Sequence, residues 1–503
     1  MLPSIERRTL PVRGAVLPAF PHLRANQLPR PVIWVLLALV ALAGGAAIGW
    51  LTVSSSPVKA LALLVGLVWF VVALSDVRAG IWAVVGVVAL LPFAVVPFHF
   101  KLTLTLLEIT LLSVYAVWIV RLALHHDELL EGGAEGSLVI LLLAVTLFAF
   151  LVGIGNQYTL ETFHNYGKFV LAVLIFFAIW NTTRTLVDVR RLLIVLLGAS
   201  GAAAALGLVL YAGGANLTLR VLTHLIPYGY PSDRIVRYVD DNPAMAMRLT
   251  STSVDPNSFG GLLAVVFVIA VALLLSKDRI VSRWLTVPVA GATGLAMLLT
   301  QSRGAWVGAF AGLAVLTVLR FRWLIFPGAA MVVIVFAAGL GEHFIHRFYL
   351  GITLQDPATK LRLQEYRNAL AIIRAHPFFG VGFGQAPSIT EQTGVSDIYL
   401  TIAERAGLIA LAIFLIAVIA IGLTGFRYWR RRRDTPAGEV QLGLFAALIT
   451  MLAVGVFDHY FFNTDFPHMA ALFWLVCGLI MCLASLDRRA EKADKSAQAI
   501  AGR

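Results

Sequence analysis

Lys360-Leu-Arg362-Leu-Gln-Glu365-Tyr366-Arg367, His376-Pro377-Phe-Phe-Gly380-Val-Gly382-Phe-Gly384-Gln385 and Ser396-Asp397-Ile-Tyr399-Leu-Thr-Ile-Ala-Glu404-Arg405-Ala-Gly407 follow one another in the longest polar interval of an otherwise apolar 503-residue chain. The interval, Glu342 to Gly407, brings arginines, carboxylates and three closely spaced glycines together between two apolar runs. Charge is costly beside lipid and is seldom kept there without use, so this is where chemistry is expected. The rest of the chain reads as its scaffold.

Working outward, hydrophobic residues make up 59% of positions and charged ones 13%, which excludes an ordinary soluble globule. Apolar runs of roughly 17 to 25 residues, the length that crosses the hydrocarbon core, begin near 32, 58, 80, 103, 137, 164, 190, 258, 283, 304, 322, 398, 441 and 468. The pattern predicts an all-α polytopic membrane protein of about 14 transmembrane helices, because helices satisfy their own backbone in lipid. Residues 1–31 read as a cytoplasmic N-terminal arm, 32–486 as the helical bundle and 487–503 as a cytoplasmic tail. Two long outward loops, about 214–257 and 341–397, are expected to cap one face.

The net charge of +12 is a topology signal more than a nucleic-acid footprint: with the N-terminus inside, 25 of the 39 Lys and Arg fall on the cytoplasmic side. Cys477 and Cys482 lie in the last apolar run and read as packing residues. The polar stretch 124–136 reads as a solvated connector, and no acidic cluster with metal-ligand spacing or phosphate-cradling glycine loop stands out. No metal or cofactor is expected, and the donor is expected to be an activated lipid, not ATP or a sugar nucleotide.

The same topology brings arginines from three stretches to the outer face: Arg248, ahead of Asp255-Pro256-Asn257; Arg303, in Gln-Ser302-Arg303-Gly304-Ala305; and Arg362. A guanidinium fork makes parallel charge-assisted bonds to a diphosphate and never deprotonates, so this trio suits a lipid-linked diphosphate and the charge that grows on it as it leaves. The plainer reading is that these arginines snorkel to headgroups or pair within their own loops. Transfer of a sugar to a hydroxyl also needs a base, for which Asp397, Glu404, Asp255, His376 and His459 are candidates.

Taken in order, Arg248 with Val-Asp255-Pro256-Asn257, Gln-Ser302-Arg303-Gly304-Ala305, Arg362 with Tyr366, His376-Pro377-Phe-Phe-Gly-Val-Gly-Phe-Gly384, and Tyr399-Leu400 with Glu404 and Gly407 resemble the O-antigen ligase and polymerase superfamily over roughly residues 160 to 480. The resemblance implies metal-independent, inverting transfer of a glycan from undecaprenyl diphosphate on the periplasmic side of a bacterial inner membrane. It implies diphosphate binding by Arg248 and Arg303, with Lys168 at an earlier basic position of the family. Implied partners are the lipid-linked glycan, membrane lipids, chain-length-regulator and flippase proteins, and no nucleic acid. Ligases of the family carry a histidine where this chain has Ser396-Asp397; either Asp397 replaces it or the base comes from elsewhere. That departure favours polymerisation of lipid-linked repeat units into an exopolysaccharide or O-antigen, with ligation to lipid A core or protein as the alternative and a lipid-linked sugar transporter as a rival of another class.

Overall fold

The computed structural model describes residues 76–95, 103–124, 130–153, 158–326, 357–384 and 395–501, with isolated residues within 31–72 and 328–333. The N-terminal arm, the expected spans near 32 and 58, most of the one near 322 and parts of the second outward loop lie outside the described residues.

The apolar runs become helices α1 Val77–Leu90, α2 Leu106–Leu124, α3 Gly133–Val152, α4 Leu160–Thr182 and α5 Leu186–Ala212. After the short α6, Gly214–Thr223, come α7 Pro256–Leu275, α8 Arg283–Leu299 and α9 Arg303–Leu319. The polar α10 Pro357–Ala375 precedes α11 Ile398–Arg431, α12 Pro436–Val454 and α13 Pro467–Ala501. Eight of these are long and apolar enough to cross a membrane, while α1, α8 and α9 are shorter. The chain is thus a mostly helical, multi-pass membrane protein. The shortness of α8 and α9 has a local cause: Thr300 and Ser302 of the turn between them are 0% and 2% exposed, so the turn carrying Arg303 is sunk inside the bundle.

Helices α7, α12 and α13 form the centre, with 78%, 72% and 89% of their apolar windows buried, whereas α3 buries 33% and leaves Ile140, Leu147 and Leu151 exposed as a lipid-facing band. Here α9 meets α12 along Gly308 and Gly312, and Gly304 one turn earlier meets Phe457 and Asp458 just beyond the end of α12. A Cβ would come within 2.3 Å of Val454 at Gly308 and 2.1 Å of Thr450 at Gly312, so spacing glycines four apart lets the two backbones approach.

Ion pairs sort the helix termini into two opposite ends. At one end Arg78 binds Asp188 at 2.6 Å, Arg489 binds Glu131 at 2.9 Å, Arg320 binds Asp434 at 2.8 Å and Arg432 binds Asp487 at 2.9 Å. These pairs lie at or near the starts or ends of α1, α3, α5, α9, α11, α12 and α13. Glu131, from the expected connector, is held by Arg489 and lies beside Asn181. Buried free thiols at Cys477 and Cys482 agree with a packing role.

At the other end, helix α11 departs from regular geometry at Gly407, with φ +85° and ψ 171°. The chain of Pro377–Gly382 packs onto this break: Leu408 N donates to Pro377 O at 2.8 Å, Gly382 N to Arg405 O at 2.9 Å and Val381 N to Glu404 O at 2.9 Å. Only glycine fits there, since a Cβ at Gly407 would lie 2.0 Å from Phe378 O and φ is in the left-handed region. Gly407→Ala is therefore expected to destabilise the protein by at least about 1–3 kcal/mol, read as a lowered thermal midpoint in detergent, whereas Gly422→Ala, with room beside it on the same helix, shifts the midpoint far less.

Candidate active site

The polar residues of the second end are positioned by helix caps. Asp255 caps α7, its carboxylate accepting from Asn257 N at 2.9 Å and Ser258 N at 2.7 Å, with Pro256 in the first turn where a missing N–H costs nothing. Ser302 caps α9 by accepting from Ala305 N at 3.3 Å. Asp397 caps α11 by accepting from Leu400 N at 2.7 Å. The sequence motifs around Asp255, Ser302 and Asp397 thus turn the chain sharply at the mouth of the bundle.

Arg248 sits on a two-stranded antiparallel ribbon, β1 Arg237–Tyr238 with β2 Met247–Arg248. Its Nε donates to Thr300 O at 2.9 Å and its terminal nitrogen to Asn257 Oδ1, which ties the first outward loop to the α8–α9 turn. From α10, Arg362 reaches Asp458 at 3.6 Å. Asp458 is 2% exposed and packs against the backbone of Gly304, where an added Cβ would lie 2.7 Å from Oδ2. Arg248, the turn beside Arg303 and Arg362 therefore gather round one buried carboxylate that the sequence reading passed over.

Burial pushes the Asp458 carboxyl up to about 7, against the pull of Arg362 and Arg248. Its neighbour Tyr460 is 7% exposed and meets the Asp255 carboxylate; burial first, then the Asp255 and Asp458 charges, raise its phenol well above the usual range. His459 is drawn down to about 4, chiefly by its buried surroundings, so the imidazole is neutral at physiological pH. Nδ1 of His459 has no hydrogen-bond partner among the described residues.

Beyond His459 opens a cavity of about 190 Å³. Phe169, Phe383 and Phe462 wall one part, Phe169 and Phe462 meeting edge to face at 4.7 Å between centroids. Glu404, Arg405, His459 and Asp465 supply its charged and titratable lining. Glu404 is 1% exposed and stands 4.0 Å from Arg405, whose guanidinium donates to Gly384 O at 3.2 Å. The glycine-rich loop after His376 thereby fixes the arginine that the sequence reading left unassigned.

Arg248 and Arg362 come together around Asp458, with the turn that carries Arg303 packed against it at Gly304, and Glu404 and His459 share the adjoining cavity. Lys168 joins neither group directly: it donates to Asn165 Oδ1 at 2.9 Å, and Asn165 donates to Asp465 at 3.3 Å on the cavity rim. Asp397 lies on the α10 side, where its charge acts on Tyr366; burial raises its carboxyl above the usual range while the backbone amides of Leu400 and Tyr399 oppose that rise. His376 ends α10, its N–H donating to Ile372 O at 2.8 Å.

Chemically, one end of this arrangement offers fixed guanidinium donors for an anion. A neutral imidazole with a free nitrogen follows, and then a cavity whose aromatic walls and hydrogen-bonding groups suit a sugar. No curated protein matches the chain. Residues 288–415, from α8 into α11 and including Arg303, Arg362, Asp397, Glu404 and Arg405, match the sequence model of the family described as O-antigen ligase. That segment, which runs across the arginine-bearing turn, the polar helix and the broken helix of the site, is the part of the chain that is similar to the O-antigen ligase family.

Proposed function

We propose that the chain is a glycosyltransferase of about 14 spans, with both termini in the cytoplasm of a bacterial cell and its site on the periplasmic face of the inner membrane. Its donor is a glycan carried on undecaprenyl diphosphate. The observation that carries this reading is the gathering of Arg248, the Arg303 turn and Arg362 around Asp458 at the mouth of a cavity with aromatic and polar walls.

In the reaction, an acceptor hydroxyl attacks the anomeric carbon, a new C–O bond forms and the bond from that carbon to the diphosphate oxygen breaks. The electron pair leaves with the diphosphate, where Arg248, Arg303 and Arg362 stabilise it; this charge is greatest in the transition state and product, so the arginines favour the transition state over the bound substrate. A single displacement inverts the sugar. His459 takes the acceptor's proton. It is neutral, its Nδ1 is open, and it stands between the arginines and the cavity. Asp397 supports the site as a helix cap, and Glu404 and Arg405 hold the acceptor in the cavity.

Polymerisation, in which one lipid-linked repeat serves as donor and another as acceptor, is the form of the reaction favoured by Ser396-Asp397 standing where family ligases carry histidine. Ligation of a finished glycan shares every donor-side step and is supported by the family description.

Two sets of variants test these roles. Arg248→Ala and Arg303→Ala are each expected to weaken binding of a lipid diphosphate sugar by about 10- to 100-fold, the worth of a charge-assisted bond, with Lys variants restoring part of it; unchanged affinity for both would remove the donor assignment. His459→Gln is expected to lower the transfer rate by roughly 10²- to 10⁴-fold while leaving donor affinity near the parent value. Asp397→Ala is expected to lose about 1 kcal/mol of stability that Asp397→Asn regains. Abolished transfer in Asp397→Asn with active His459→Gln would move the base to Asp397.

A further inference from the structure

Asp458 presents a problem that the donor site does not explain by itself. Anion-binding sites keep carboxylates out, yet this carboxyl is 2% exposed in the middle of the arginines proposed to hold a diphosphate. Its Oδ1 faces Arg362 at 3.6 Å, while Oδ2, on the side of Gly304 and the Arg303 turn, accepts no hydrogen bond among the described residues. A diphosphate oxygen brought to these arginines would meet a second oxygen anion. Two such anions in contact repel strongly in a buried site, and sharing one proton is the simplest relief.

We propose that Asp458 receives the donor as a carboxylic acid, giving the hydrogen bond of its Oδ2 hydroxyl to a diphosphate oxygen, so that donor binding takes up one proton from solvent. This rests on the reading of the arginine cluster as the donor site. The groups facing Asp458 are Arg362, Glu365 and Tyr366 on α10, Arg248 on β2, Asp255 at the start of α7, the Arg303 turn of α9, and His459 and Tyr460 beside it in the chain. His459 is already neutral, and Asp255 is engaged by two backbone amides and Tyr460. Burial holds the Asp458 carboxyl near neutrality before any ligand arrives, so a nearby anion has only a short way to move it. A protonated Asp458 leaves the arginine charges undivided for the ligand and adds a donor aimed at the leaving group. When the diphosphate departs the proton returns to solvent.

The test measures the affinity of detergent-solubilised full-length protein for farnesyl-diphosphate-linked N-acetylglucosamine, whose two phosphates ionise well below neutral pH. The expected result is a dissociation constant that rises about tenfold from about pH 6 to about pH 8, together with net proton uptake near neutrality, read by calorimetry in buffers of different ionisation enthalpy. In Asp458→Asn, whose amide keeps a donor at that place, both effects should vanish. Binding by the parent protein that is tight, independent of pH and free of proton uptake would overturn the proposal, and that result requires no variant to fold. The same proton uptake persisting in Asp458→Asn would overturn it too, by placing the proton elsewhere. Arg303→Ala measured in parallel separates the two readings: if it binds the probe as the parent does, the donor site itself is wrong, whereas a weakened Arg303→Ala beside a pH-independent parent rejects Asp458 alone.

Discussion

Burying charge at the mouth of a membrane bundle is the constraint that the rest of this structure answers. A lone ionised group in such a place is prohibitively costly, and only a network of counter-charges and hydrogen bonds makes it tolerable. Here the network joins elements far apart in sequence: Arg362 on α10 to Asp458 after α12, Arg248 on the ribbon to Thr300 and Asn257, and Tyr460 to Asp255. Arg362 is carried on a helix and Arg248 on the ribbon, while Asp255 is fixed as the cap of α7. The same residues thus close the core of the bundle and leave a set of cations facing one place.

That economy bears on mechanism. Electrostatic catalysis depends on dipoles and charges that are already oriented when the transition state forms. Arg405 is fixed by the carbonyls of Gly382 and Gly384, and the α8–α9 turn is buried. The break at Gly407 makes this possible: by leaving helical geometry, the chain exposes the Glu404 and Arg405 carbonyls to the loop from Pro377 to Gly382. Without it, the loop would have no edge on which to dock.

Much of the fold was legible in the sequence because a hydrophobic run of membrane length has few alternatives. Observed α4, α5, α7, α8, α9, α11, α12 and α13 begin within about five residues of the positions read from hydropathy. The arginines of the candidate site were legible because Arg beside small or capping residues at a span boundary is chemically conspicuous. Asp458 was not. A single aspartate in Phe-Asp-His-Tyr carries no periodicity, and its meaning comes from Arg362, about a hundred residues away in the chain. Arg405 was obscured by its neighbour Glu404, since adjacent opposite charges at a helix start read as a solvated pair. The role of Asp397 as a cap was readable in principle, from an aspartate directly ahead of an apolar run, but its position as a possible base drew the stronger inference.

The central claim is that these residues move a glycan off a lipid diphosphate. The most direct measurement supplies reconstituted protein with its lipid-linked repeat unit as sole substrate, following glycan length on a gel and released polyprenyl diphosphate in the same samples. The account predicts a ladder of products with one lipid diphosphate released for each linkage made. Bound substrate that yields neither longer glycan nor free lipid diphosphate, even after a lipid or protein acceptor is added, would contradict it.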